Sequence, residues 1–256
     1  MDNALTNRDK WRDVWAGVKL PAVAKPKRDI IRQLEKYLPH GKKYSMIEIG
    51  CAPGGWLAYF NNNFGYKVAG VEYVETAAAI TNKNMNMLAI NANVLVQDFF
   101  ALDCVNNKYD IVFSAGFIEH FSDLSPVMEK ICMLSQKYVV TIVPNVFGIN
   151  GFISKKLRPK VYAEHKPIDL NMLNIIHTRY GLKTLFCNYV GGAQLIVLAS
   201  RNNLFFNKHR YITHALNIPI HIFNLLSQAI QKISGYTPRS KIVSQSLMYI
   251  GIKNKS

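Results

Sequence analysis

The stretch that decides the fold is Tyr44-Ser-Met-Ile-Glu48-Ile-Gly50-Cys-Ala52-Pro-Gly54-Gly55-Trp56. Tyr44–Ile49 is a short apolar run of strand type, the next residues form a turn of small side chains, and Leu57–Asn63 reads as a helix. Small residues at 50, 52 and 54 let the backbone approach a ligand closely. They also aim free N–H groups at an anionic part of it from the helix start. Glycine turns serve purely structural ends as well, so the loop acquires meaning only from its surroundings.

Outward from this loop the chain keeps a regular rhythm. Apolar runs recur at Lys67–Val71, Val94–Val96, Tyr109–Ser114 and Tyr138–Val143, separated by segments long enough for a helix. That alternation is βαβ. It predicts an α/β fold with a mostly parallel sheet, helices on both faces and ligands at the carboxyl ends of the strands. Glu72 ends the second run, 24 positions after Glu48, where a carboxylate accepts two ribose hydroxyls. Asp98-Phe99 follows the third run and suits an adenine amino group and ring. The fourth runs into Ala115-Gly116-Phe117-Ile118-Glu119-His120-Phe121, which puts a titratable histidine at the same edge. Together these residues outline a cofactor that contains adenosine.

The order and spacing of these segments over residues 44–190 resemble the class I S-adenosylmethionine-dependent methyltransferases. The resemblance implies a Rossmann-like seven-stranded sheet with S-adenosyl-L-methionine as cofactor. Glu48, Gly50, Ala52 and Gly54 would hold its methionine moiety, Glu72 the ribose, and Asp98 with Phe99 the adenine. Ser114 and Ala115 would line the sulfonium side. The loop differs from the dinucleotide fingerprint GxGxxG because its small residues fall at every second position, which demotes an oxidoreductase. With Trp11 and Trp15 ahead of Leu20-Pro21, and Val143-Pro144-Asn145 downstream, the set is similar to the small-molecule methyltransferases of bacterial surface-polysaccharide and lipid-linked sugar biosynthesis.

Methyl transfer from a sulfonium needs alignment and, for a hydroxyl acceptor, a base. His120 is the first candidate, against the reading that it merely holds a loop; His165, in Ala-Glu164-His165-Lys166, is the second. Asn145 and Glu119 are candidate acceptor contacts, although an Asn after Val-Pro also suits a role that only shapes the turn. Glu119-His120 is also similar to the Glu-x-x-Glu-His cluster of the metal-assisted quinone-biosynthesis methyltransferases. Gly116 stands where the first Glu of that cluster would be, so no metal is expected. Ala52-Pro-Gly-Gly-Trp56 also occurs in RNA 2'-O-methyltransferases, but their Lys-Asp-Lys-Glu set is missing, since Ala115-Gly116 replaces the Asp and no Lys follows the fifth run. Nucleic acid is therefore the lesser alternative, together with a quinone or lipid-precursor methyltransferase at a membrane surface.

Charge adds a second level. Of the net +15, residues 1–150 carry +2 and residues 151–256 carry +13; no acidic side chain follows Asp169. That half faces an anionic partner: a phosphate-bearing acceptor, a glycan or an anionic membrane. Four scattered cysteines without a CxxC pair argue against a disulfide frame or zinc site. The amino terminus carries no apolar signal region, which points to a cytoplasmic protein, on the inner face of the membrane if it binds there.

The expected organisation is an N-terminal helical cap over 1–43, a methyltransferase core over 44–200, and a basic amphipathic extension over 201–256 that ends in a strand. Asn145–Leu170 reads as loop, Leu170–Tyr180 as helix and Leu182–Val190 as strand. Gln194–Ala199 and Ser246–Ile252 compete as the closing strand. Tyr211–Gln231 lacks charge over 21 residues but holds too many polar groups for a membrane span. It reads as an amphipathic helix with Asn224, Gln228 and Gln231 on one face and Ile222, Leu225, Leu226 and Ile233 on the other. Packing on its own domain is the preferred expectation, a membrane the alternative.

Overall fold

The computed structural model describes residues 4–15, 17–106, 108–195 and 210–254. Its elements, in chain order, begin with α1 (Arg8–Trp15), α2 (Arg28–Tyr37), β1 (Ser45–Ile49), α3 (Gly55–Phe64), β2 (Lys67–Glu72) and α4 (Glu75–Met87). They continue with β3 (Ala92–Val96), β4 (Tyr109–Ala115), α5 (Ser125–Leu134), β5 (Ser135–Pro144), α6 (Ile149–Leu157) and α7 (Pro159–Ala163). The last are α8 (Leu170–Thr178), β6 (Leu182–Ala193), α9 (Arg210–Ser234) and β7 (Ser244–Lys253).

The sheet has seven strands in the order β3-β2-β1-β4-β5-β7-β6. β3, β2, β1, β4 and β5 pair in parallel, while β7 lies antiparallel to both β5 and β6. The seven-stranded, mostly parallel α/β expectation therefore holds. Strand order reverses between β1 and β4, so the loops after these strands diverge and leave a crevice at their carboxyl ends. Two apolar layers pack on opposite faces of the sheet, one around Ile47, Val112, Ile131 and Leu173, the other around Leu34, Phe60, Phe113 and Ile250. β1 is buried along nearly its whole length, as a strand covered on both faces must be.

Four local features hold the frame. Gly50 and Gly54 have φ of +71° and +88°, conformations that glycine adopts without strain. At Gly70 a Cβ would lie 2.5 Å from Cys51 Sγ, so the absence of a side chain lets β2 close on the glycine loop. The Asn84 amide donates to the carbonyls of Ala22 and Pro53 and accepts from Ala22 N–H at 2.7 Å, tying the N-terminal segment to that loop. His177 is a core histidine: it stacks on Tyr249 at 3.8 Å, its Nδ1–H donates to Leu173 O, and its Nε2 accepts from the Thr141 hydroxyl at 2.8 Å. Burial depresses its pKa to about 3.

Two expectations need correction, and one open choice is settled in favour of Ser246–Ile252. Asn145–Leu170 is not loop throughout but contains α6 and α7; Pro159 opens α7 at a position where its missing N–H costs nothing, which hides two short helices behind loop-like composition. The closing strand is β7, longer than Ser246–Ile252 and placed between β5 and β6. Of Gln194–Ala199, residues 194 and 195 are not strand and the remainder lies outside the described residues. The amphipathic helix forms as α9 but docks by the wrong face: Thr213, Asn217 and Asn224 are buried, while Ile222, Leu225, Leu226 and Ile233 are exposed. No helix among the described residues is long and apolar enough to cross a membrane.

Candidate active site

A cavity of about 520 Å³ lies in the crevice at the carboxyl ends of β1, β2 and β4. The glycine loop forms one wall with Glu48, Gly50 and Ala52; Glu72 and Asp98-Phe99 come from the ends of β2 and β3, and Ala115 with His120 from the far side of β4. Trp11 and Trp15 on α1 roof it over. The roof is fastened on the side of β4: Leu5 N–H donates to His120 O at 2.7 Å, and Lys10 pairs with Glu164.

Most residues singled out from the sequence converge here, whereas Gly54, Ser114, Glu119, His165 and Asn145 do not line the cavity. Gly54 caps the start of α3 and faces α4, where a Cβ would meet Met85 at 2.8 Å; it shapes the loop rather than lining the cavity. Ser114 is buried within β4 opposite Ile49, so Ala115 takes the cavity-facing position. Gln97, Tyr73 and Phe117 line the cavity without having been singled out. Their signal was adjacency, each lying within two residues of a residue that was.

The acidic residues explain what the cavity accepts. Glu48 is buried with Oε2 unpartnered, and burial, then the nearby Glu72, raise its pKa well above the usual carboxylate value against the pull of the Leu57 N–H. Glu72 accepts from Val74 N–H at 3.0 Å, and its own pKa is raised chiefly by burial. Two inward carboxylates in a mostly apolar chamber call for a ligand with cationic and hydroxylated parts. Asp98 accepts from Phe100 N–H at 2.9 Å, which fixes the turn that brings the Phe99 ring to the wall. S-adenosyl-L-methionine, with its sulfonium, ammonium, ribose and adenine, fits this set of donors and surfaces, and the volume falls in the range of cofactor sites.

Beyond the cavity lies a buried polar cluster. His120 is 7% exposed; its Nδ1–H donates to Glu164 O at 2.9 Å, which leaves the lone pair on Nε2, and its ring meets the edge of Trp11 at 5.0 Å. His165 stands 4.7 Å away, ring to ring, with Nδ1–H donating to Val161 O at 2.7 Å. Burial, His165 and the Lys10 ammonium hold the His120 imidazolium down to about 4; burial also lowers His165. Glu119 is 2% exposed, its Oε2 has no partner, and burial raises its pKa to about 8. Donor atoms of these three side chains lie within 4.8 Å of one another, so they are the residues that would share a divalent ion. The ammonium of Lys10, close enough to depress both imidazoles, works against a cation there.

Asn145 has a different occupation. Its amide donates to the carbonyls of Lys241 and Ser244 at 2.8 and 2.9 Å and accepts from Phe147 N–H. It is consumed in closing the turn after β5, with both amide hydrogens engaged, and drops out as an acceptor contact.

Comparison with known proteins agrees with this geometry. Residues 46–136 match the sequence model of a family described as a methyltransferase domain. Among solved structures, a SAM-dependent methyltransferase from Archaeoglobus fulgidus superposes with a TM-score of 0.55 at 17% identity, covering 97% of this chain and 100% of the other. Geranyl diphosphate C-methyltransferase from Streptomyces coelicolor gives 0.57 at 14% identity over 88% and 76%. Magnesium protoporphyrin IX methyltransferase from Synechocystis gives 0.55 at 12% over 96% and 93%. At these identities the likeness is one of fold, and no curated protein sequence matches the chain. Fold, cavity and family match define the class, that of the S-adenosylmethionine-dependent methyltransferases with class I fold. The matched segment ends before His165, α6 and α9.

Proposed function

We propose that the protein O-methylates a hydroxyl of an anionic sugar, glycan or related small molecule, with His120 as the group that takes the hydroxyl proton. Glu48, Gly50 and Ala52 would hold the methionine end of the cofactor, Glu72 the ribose, and Asp98 with Phe99 the adenine. When bound, the cofactor supplies an electrophilic methyl group. The observation that carries the reading is the free Nε2 of a neutral His120 at the cavity wall, its tautomer fixed by the Glu164 carbonyl. An imidazole whose conjugate acid lies near 4 does not keep a proton at neutral pH. Glu119, beside it and raised to about 8, is the stronger base of the two once ionised, and in that form it would take on the proton that His120 removes from the acceptor. Trp11 and Trp15 exclude water above the reacting centre. The cationic residues of α6 and α7 suit the negative charge of a phosphorylated or acidic acceptor.

The test is a methyl-transfer screen of sugar and glycan hydroxyls with the parent and His120→Ala. His120→Ala is expected to bind S-adenosylmethionine as the parent does by calorimetry and to lose turnover by ~10²–10⁴-fold; parent-like turnover would make His120 structural. Because Glu119 stores the proton only when ionised, turnover is expected to rise as pH rises through about 8. Glu119→Gln is expected to abolish that rise.

A further inference from the structure

α9 is built inside out. The stripe it turns toward the protein is Thr213, Asn217, Ile220, Asn224, Ser227 and Gln231, spaced three and four residues apart and polar at every position but one. This stripe binds backbone rather than core. Asn224 accepts from Leu195 N–H at 2.8 Å and donates to Leu195 O at 2.9 Å, and Ser227 donates to Ala193 O. The opposite face displays Ile218, Ile222, Leu225, Leu226, Ile230 and Ile233, with Leu225 67% and Ile233 87% exposed. A helix of 25 residues presents such a face over ~37 Å.

α6 extends this surface. Its Asn150 amide donates to Gln194 O at 2.7 Å, next to the Leu195 that Asn224 clasps, and Phe152 on the same short helix is 64% exposed. Cationic side chains lie near this apolar area on several segments, with Glu35 and the buried Asp29 as the acidic residues on the side of α2. Lys155 and Lys156 end α6, Lys241 covers the Phe147 ring at 4.9 Å, and Lys232 lies on α9. Beyond the end of α9, Arg32 donates to Gly235 O and Arg239 lies over Phe186. No acidic residue occurs after position 169.

We propose that the outward face of α9 and α6 is a docking surface for an anionic bilayer, with α9 lying in the plane of the interface. The chemistry selects this occupant. Continuous apolar residues with a rim of lysine and arginine match acyl chains beneath negative head groups, and single apolar residues scattered on a surface would need no such account. A second copy of this chain would set one cationic rim against another. α6 also helps to line a second cavity of about 340 Å³ with Arg158 and His165, whose ring stands 4.7 Å from that of His120 at the active-site wall. An amphiphilic acceptor could thus be presented from the bilayer side.

The test is co-sedimentation of the full chain with vesicles of phosphatidylcholine alone and of phosphatidylcholine with phosphatidylglycerol. Recovery with the anionic vesicles is expected, with at least about tenfold weaker retention on neutral vesicles and release as salt is raised. A variant carrying Ile222→Glu and Leu225→Glu is expected to lose vesicle binding by about tenfold or more while binding S-adenosylmethionine as the parent does, which keeps docking separate from folding and from the methyl-transfer reading. Equal recovery of parent and variant overturns the proposal. So does a parent that ignores both vesicle types and sediments as a dimer in the ultracentrifuge, because the face would then be an interface between copies.

Discussion

Helices α3 and α9 both separate apolar from polar side chains, and they spend that separation in opposite directions. α3 presses Leu57, Phe60 and Phe64 into the sheet and leaves Asn62 and Asn63 to water. α9 buries Asn217, presses Asn224 against the backbone of Leu195, and leaves Leu225, Leu226 and Ile230 exposed. The difference lies in what each helix meets. The underside of α3 is an apolar strand surface, whereas the segment after β6 offers carbonyls and N–H groups at the end of a strand, which need hydrogen-bond partners more than oil. A helix docks by the face whose chemistry matches that of its neighbour, and periodicity alone does not say which face that is.

Three substitutions probe the contrast. Phe60→Ala in α3 removes a fully buried ring and is expected to lower stability by about 3–5 kcal/mol in denaturant unfolding; a loss below about 1 kcal/mol would mean that α3 is not the apolar anchor described. Asn224→Ala on the polar side of α9 leaves both backbone groups of Leu195 without their partner and is expected to cost about 1–3 kcal/mol. If that variant were as stable as the parent, the polar stripe would not be what holds α9. The smallest effect belongs to Leu225→Ser on the outer face, expected within about 0.5 kcal/mol of the parent. A loss approaching that of Phe60→Ala would place this leucine in a core and reverse the comparison.

The βαβ frame was legible because its signals are local: strand runs, a glycine loop and an acidic residue at each strand end sit within a few positions of one another. The same locality brought Glu48, Gly50, Ala52, Glu72, Asp98, Phe99 and His120 to one cavity. Sequence reading faltered where function is assembled from distant segments. His165 reaches His120 across 45 positions, by way of two helices that composition disguised as loop. Trp11 joins them from the N-terminal segment through the Asn84 clamp and the Lys10–Glu164 pair. Asn145 reads from the sequence either as an acceptor contact or as a turn-shaping amide, and the two look alike until the carbonyls of Lys241 and Ser244 are in place.

β7 has a consequence for how the molecule comes into being. It is the last strand among the described residues, yet it is threaded between β5 and β6, and β6 pairs with no other described strand. On the ribosome β6 must therefore wait, without a strand to bond to, until α9 and everything after it has been made. The parallel half of the sheet can close as it emerges, but the antiparallel half is sealed by a late, long-range insertion, the slow kind of step in folding. Until then the edge of β5 is open, and the chain is most exposed to association with its neighbours in that interval.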